Sequence, residues 1–220
     1  MTTTTFNPDA HTESTSVDGD CHRGSVSETF STIRAGAGTG ATDSAVFMKV
    51  ITNSTGTTDR YDTMQRAIVL FDTSALGDAD TIASATLEFV LAQLEDAFGG
   101  DSLSMVTSTP ASDTAVASGD YAQTGTTKQA ADLALSGLTS DSATFNAFTL
   151  NATGLGNISK TGLSKFAIRT ANDIAGSNSW SSSDRIFVKI ASAEETLSSD
   201  KRPKLVVVHT APFTPKLVIL

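Results

Sequence analysis

This 220-residue sequence predicts an all-β fold: a jelly-roll sandwich of two antiparallel sheets with long loops and at most one or two short helices. Three observations carry the expectation. Charged residues make up 18% of the chain against 39% hydrophobic, so Ser, Thr, Asn and Gly must supply the polar surface. Ser and Thr suit strands and turns better than helix interiors. Two separated segments, Arg66-Ala67-Ile68-Val69-Leu70-Phe71-Asp72 and Lys204-Leu205-Val206-Val207-Val208, have the β-branched and aromatic make-up of strands. About ten such segments succeed one another without intervening ten-residue helices, which argues against βαβ units and for two packed sheets.

Taken in order, Thr3 to Phe6 is a first strand, stopped by Asn7-Pro8-Asp9. The polar stretch from His11 to Gly24 lacks periodicity and reads as a loop. Thr29 to Ala35 alternates and predicts a strand, broken by Gly36-Ala37-Gly38-Thr39-Gly40. No Lys-Ser/Thr follows those glycines, so they do not form a phosphate cradle. Val46 to Ile51 and Arg66 to Asp72 are strands on either side of a turn-rich stretch. Ile82 to Leu91 places Ala85, Leu87, Phe89 and Leu91 on one face and Thr86 and Glu88 on the other. Ser102 to Thr107 is a strand, Ser108 to Thr127 a long loop, and Lys128 to Leu135 a short helix. Thr144 to Leu150 reads as a strand covered on both faces, and Thr153 to Ser159 as a helical turn. Ser164 to Thr170, Arg185 to Ala191 and Lys204 to His209 are the last strands, with a polar loop from Asn172 to Asp184.

No repeat or linker divides the chain, so residues 1–210 are expected to form one domain. The remaining 211–220 begin with Ala211-Pro212-Phe213-Thr214-Pro215, extended because each proline fixes φ and biases its predecessor. Burying one large apolar side chain is worth about 1.5–3 kcal/mol. Phe213, Leu217, Val218, Ile219 and Leu220 are therefore expected to be covered, either by the domain's own sheet or by a neighbouring subunit.

Charge and composition narrow the function. A net charge of −9 repels phosphate, so nucleic acid is not an expected partner. No run approaches the roughly 18 apolar residues of a membrane span, so no membrane partner is expected. The opening Met-Thr-Thr-Thr-Thr-Phe has neither the basic nor the apolar region of a secretory signal. Cys21 is the one cysteine, so no intramolecular disulfide can form. Cys21-His22 is a single arm where zinc needs two. Asp18-Gly19-Asp20 has part of a calcium-loop pattern but no glutamate at the twelfth position. Glu88, Glu95, Asp96 and Asp101 fall where solvent faces and turns are expected, not as a catalytic carboxylate pair. Neither an enzymatic reaction nor a cofactor is expected. Trp180, Tyr61 and Tyr121 fall in predicted loops, where they would be free to form a platform for a sugar face.

Arg66 to Leu76, followed by Thr81-Ile82-Ala83-Ser84-Ala85-Thr86-Leu87-Glu88-Phe89, resembles the pattern of DNRLRE-type domains. There an arginine precedes an apolar strand ending Phe-Asp (here Phe71-Asp72), then Ser-x-Leu and an Ile-x-Ser-Ala-x-Leu strand. The end of the chain is similar too, with Ser192-Ala193-Glu194 ahead of Arg202-Pro203-Lys204-Leu205. The resemblance runs from Phe6 to Thr210 and lacks the Trp-rich segment common in secreted relatives. It implies a carbohydrate-binding-like jelly roll of the kind found in carbohydrate-binding modules, surface proteins and phage structural proteins, often with a structural calcium. The motif residues also have readings of their own. Arg66 and Asp72 would stand about 20 Å apart at the two ends of one strand. Asp72 suits an Asx turn, Arg202-Pro203 a strand start, and Glu194 an ion pair with Arg202 or Arg66. The expected function is a non-enzymatic structural protein of a virus or phage particle, a capsid decoration or fibre component. It would be located in the virion, as a homo-oligomer or in a capsid lattice with other virion subunits. The alternative is a carbohydrate-binding module or glycan adhesin.

Overall fold

The computed structural model describes residues 1–195 and 201–212. Thirteen antiparallel strands among them build the fold: β1 (Thr2–Phe6), β2 (Asp18–Arg23), β3 (Gly40–Thr42), β4 (Phe47–Ser54), β5 (Tyr61–Asp72), β6 (Thr81–Asp96), β7 (Ser102–Ser108), β8 (Thr124–Lys128), β9 (Leu133–Ala134), β10 (Phe145–Thr149), β11 (Leu163–Thr170), β12 (Arg185–Ala191) and β13 (Lys204–Thr210). Three short helices join them: α1 (Phe30–Ala35), α2 (Ala152–Gly156) and α3 (Ala171–Ala175).

The strand order β1-β13-β6-β12-β4-β5-β11-β7-β8 folds into two layers because β6, sixteen residues long, belongs to both. Its first half pairs with β13 and β10 and its second half with β12. Period two in β6 does what its sequence predicts: Ala85, Leu87, Phe89 and Leu91 are buried, while Thr86 and Glu88 are half-buried on the opposite face. Between the layers, Phe6, Leu87, Phe89, Phe148, Leu205 and Val207 meet Met48, Val69, Phe71, Phe166, Val188 and Ile190 in one core. The rings of Phe89 and Phe148 lie 5.5 Å apart.

A second core lies on the far side of the larger layer. Cys21, Ile33, Met64, Ile68, Leu70, Val106, Tyr121 and Ala167 pack there, under α1 and the 3-10 helix Ser118–Gln123. Strand β5 is therefore covered on both faces. Ala67, Val69 and Phe71 face the first core while Ile68 and Leu70 face the second, which accounts for its unbroken apolar run.

Several local expectations are corrected. Thr29–Ala35 is α1, not a strand: the Thr29 hydroxyl caps it by accepting from Thr32 N at 3.3 Å, and Phe30 and Ile33, three apart, both enter the second core. The predicted loop from His11 to Gly24 contains β2, whose polar residues are used inside the protein. The stretch Lys128 to Leu135 is not a helix. Gln129 N donates to the Met105 carbonyl and Ala130 bridges to Leu150, so neighbouring strands take its backbone groups. Strand β10 is covered on one face only, since Asn146 and Phe148 are buried and Ala147 and Thr149 exposed. The loop after Thr107 holds the 3-10 helix and β8, and the one after Thr170 opens with α3.

Leu87→Ala should lower stability by about 3 kcal/mol, with an unchanged denaturant slope in urea unfolding. Thr149→Ala, on the exposed face of β10, should stay within about 0.5 kcal/mol of the parent.

Candidate functional site

The densest polar chemistry sits beneath the outer cover of the second core. Arg66 is interior to β5, not at its start, and its alternation directs it toward α1 and the 3-10 helix. Its Nε and Nη2 donate to the two oxygens of Asp173 at 2.8 and 2.9 Å. Arg169, on β11, grips the same carboxylate with Nε and Nη2 at 2.7 and 2.8 Å. All three residues are nearly fully buried. The spare donors reach backbone carbonyls: Arg66 Nη1 to Tyr121 at 2.6 Å and Nη2 to Arg34 at 2.9 Å, Arg169 Nη1 to Gly125 at 2.7 Å. Asp173 is held in α3, where Thr170 Oγ1 accepts from its backbone N–H. Burial alone would raise the Asp173 carboxyl, but the hydrogen bonds from Arg169 and the charges of Arg66 and Arg169 outweigh it and hold it below its ordinary 3.8.

The predicted aromatic platform does not form. Tyr121 is fully buried, with the Arg66 guanidinium 3.9 Å from its ring centre and its hydroxyl donating to the Ile33 carbonyl at 2.9 Å. Tyr61 opens β5 and is 2% exposed, its ring against Phe30. Both are drawn inward because the far face of β5 needs an apolar cover. Trp180 is half-buried against the same core. Of the three, only Tyr61 lines an open cleft, together with Thr29, Phe30, Ser31, Asp59 and Asn178.

Among the motif residues, Phe71 is in the first core and Asp72 makes the expected Asx turn, its Oδ1 accepting from Ser74 N at 3.0 Å. Glu194 pairs with neither Arg66 nor Arg202. Arg66 is saturated by Asp173, and Glu194 Oε1 accepts instead from His11 N at 2.9 Å. Pro203 stands just before β13, its carbonyl accepting from Asn7 Nδ2. The tail residues Phe213, Leu217, Val218, Ile219 and Leu220 lie outside the described residues.

Two arrangements escaped the sequence. At the end of the first core, Asp80 Oδ2 lies 2.6 Å from His209 Nδ1, and His209 Nε2 lies 2.9 Å from Thr4 Oγ1. Carboxylate, imidazole and hydroxyl stand in the order of a hydrolase relay. Here Thr4 is mid-strand in β1, so the chain ties β1 and the turn before β6 to β13. Its members are too far apart in sequence to suggest one another. The second arrangement is a carboxylate group around His11, Glu13 and Asp43. The Asp18-Gly19-Asp20 pattern is no calcium loop but part of β2: Asp20 accepts from Lys49 N and Gln65 Nε2. Burial pushes the Cys21 thiol up to about 12, and its partner is the Arg66 carbonyl. Compared with known proteins, the chain matches no protein-family model and no curated sequence. The resemblance to DNRLRE-type domains rests on the motifs quoted above.

Asp173→Asn leaves two buried guanidiniums without a counter-charge and should cost about 3–5 kcal/mol in urea unfolding. Asp113→Asn, which opens the exposed pair with Lys165, should cost no more than about 1 kcal/mol. The folded-state pKa of Asp173 is depressed, so its stabilisation is present above its ordinary 3.8 and lost as pH falls through the folded value. Acid unfolding below about pH 4 should accordingly be steeper in the parent than in Asp173→Asn.

Proposed function

We propose that the protein is a non-catalytic structural subunit of a virus or phage particle, a decoration or fibre component, working by contacts between its edges and neighbouring subunits. The observation that carries this reading is the position of β1. It ends the strand order, with β13 as its one strand partner among the described residues. Thr2, Thr3 and Thr5 are exposed along it. An edge strand offers a row of backbone donors and acceptors to another chain, and proteins commonly blunt such edges with lysine, proline or a bulge. Thr2–Phe6 carries no charge and no proline. Thr2 pairs with His209, so the chain leaves β13 beside this same edge, heading into the apolar sequence of 213–220. An open edge suits strand addition between subunits, and the sequence of 213–220 has the apolar character of an added strand. The large buried polar groups support the same reading, because the Arg66–Asp173–Arg169 cluster spends its hydrogen bonds on joining internal elements. No helix among the described residues is long and apolar enough to cross a membrane.

Light scattering on the full chain should give a multiple of 22.8 kDa. A chain ending at Pro212, and the edge variant Thr3→Lys, should both fall to monomer with unchanged circular dichroism. A monomeric full chain at micromolar concentration, or a protein that separates from assembled particles on a density gradient, would defeat the proposal.

A further inference from the structure

Four acidic side chains converge where three connections cross. One ligand atom each from His11, Glu13 and Asp43 lie within 4.8 Å of one another. His11 and Glu13 sit on the β1–β2 connection, with His11 Nδ1 3.0 Å from Glu13 Oε2. The Glu13 side chain is only 3% exposed, and its partner is this one surface histidine. Asp43 follows β3, and the bare Cα of Gly19 lets that segment approach β2. A Cβ there would stand 2.4 Å from the Thr42 carbonyl oxygen and 3.0 Å from the Asp43 Cα. Glu194, from the turn after β12, completes the crossing by accepting from His11 N.

Two oxygens here have no partner. Asp18 is fully buried: its Oδ2 accepts from Ala193 N at 3.0 Å, and its Oδ1 accepts from nothing. Glu194 Oε2 is likewise buried and unpaired. Asp18 and Glu194 meet at the turn after β12, where Asp18 binds the N–H of Ala193, the residue before Glu194. Burial first, and then the charges of Glu194 and Glu13, push the Asp18 carboxyl well above the ordinary range. Among the described residues no lysine or arginine forms an ion pair with Glu13, Asp18, Asp43 or Glu194. Two other buried carboxylates have strong partners, Asp173 with two arginines and Asp20 with Gln65 and a backbone N–H, while Asp101 keeps one buried oxygen unpaired. A buried carboxylate oxygen without hydrogen bond or counter-charge costs several times what a satisfied one does.

We propose that His11, Glu13 and Asp43 bind a divalent cation, with the unpartnered oxygens of the Asp18 and Glu194 carboxyl groups beside it. One imidazole nitrogen among carboxylate oxygens is a donor set suited to Mn2+ or Zn2+ rather than to Mg2+. The ion joins the β1–β2 connection, the residues after β3 and the turn after β12. Ser192 already ties the last two by donating to the Ala45 and Val46 carbonyls, and His11 N ties the first to the third through Glu194. Its role is structural: it neutralises a repulsive crossing and holds the loop before β2 against β12.

The test uses the full chain stripped with EDTA and titrated with MnCl2, ZnCl2 or CaCl2, followed by scanning fluorimetry and calorimetry. Mn2+ or Zn2+ at 1:1 stoichiometry should raise the melting temperature by about 5 °C or more at saturation. The double variant Glu13→Gln/Asp43→Asn should lose that shift. Without metal it should melt no lower than the stripped parent, since the substitutions relieve repulsion. His11→Ala, at an exposed position, should weaken binding at least tenfold with the fold intact. A parent that gains no stability from any of the ions overturns the site. So does a shift that survives in the double variant, or one given by Ca2+ alone and indifferent to His11→Ala.

Discussion

The fold depends on finding a buried partner for Arg66. A guanidinium in the middle of a strand covered on both faces cannot reach water, and an unpaired buried charge would be far more costly than the strand's apolar contacts could offset. Asp173 supplies the counter-charge and Arg169 shares it, so one carboxylate neutralises half of two arginines. The remaining positive charge is spread over carbonyls of Arg34, Tyr121 and Gly125 and over the Tyr121 ring. Those carbonyls belong to α1, the 3-10 helix and β8. The elements that seal the second core are therefore the ones that satisfy the arginines. Removing the cover would strand the charges, and removing the charges would leave the cover without its polar attachments.

This coupling separates what the sequence reveals from what it conceals. Strands with one wet face, such as Thr81–Asp96 and Lys204–Thr210, are legible because alternation records the difference between core and solvent. The main strands follow from that signal, and so does the all-β class. The second core is not legible, because it is assembled from short pieces without period: Phe30 and Ile33 of α1, Tyr121 of a polar loop, Cys21 of a polar strand. A six-residue helix with two apolar positions cannot be told from a strand by periodicity. At Thr29 only the capping hydroxyl distinguishes them, and Thr170 with Asp173 three residues on carried the same signal at α3. The Tyr61 and Tyr121 platform fails for the same reason. Polar neighbours in sequence suggest exposure, whereas the face of β5 that needs covering is visible only once both layers are in place.

Polar sequence also concealed β2. Asp18 and Asp20 look like loop residues, yet each accepts a backbone N–H from another strand or turn, at Ala193 and at Lys49. These carboxylates do what ladder hydrogen bonds do elsewhere, stitching β2 to chain segments it does not pair with. The Asp20 arrangement is complete within itself, through Gln65. The Asp18 arrangement is half complete, since its Oδ1 is buried without a partner.

The two layers consequently differ in what they leave free. In the larger layer β5 is covered on both sides, and the buried charges of Arg66, Arg169 and Asp173 are committed to holding that cover in place. The smaller layer has one wet face: Val206 and Val208 are half-buried on β13, Ala147 and Thr149 are exposed on β10, and a threonine-lined edge lies at β1. Chain start and strand exit lie together at that edge, because Thr2 pairs with His209. The His209–Asp80 contact anchors the same corner to the turn before β6. A corner tied down on one side and open on the other suits strand addition, since each group already held by pairing or hydrogen bond has less conformational entropy to lose on docking. On the proposed reading, contacts with neighbouring subunits would be made at this edge of the smaller layer, away from the buried charges of the second core.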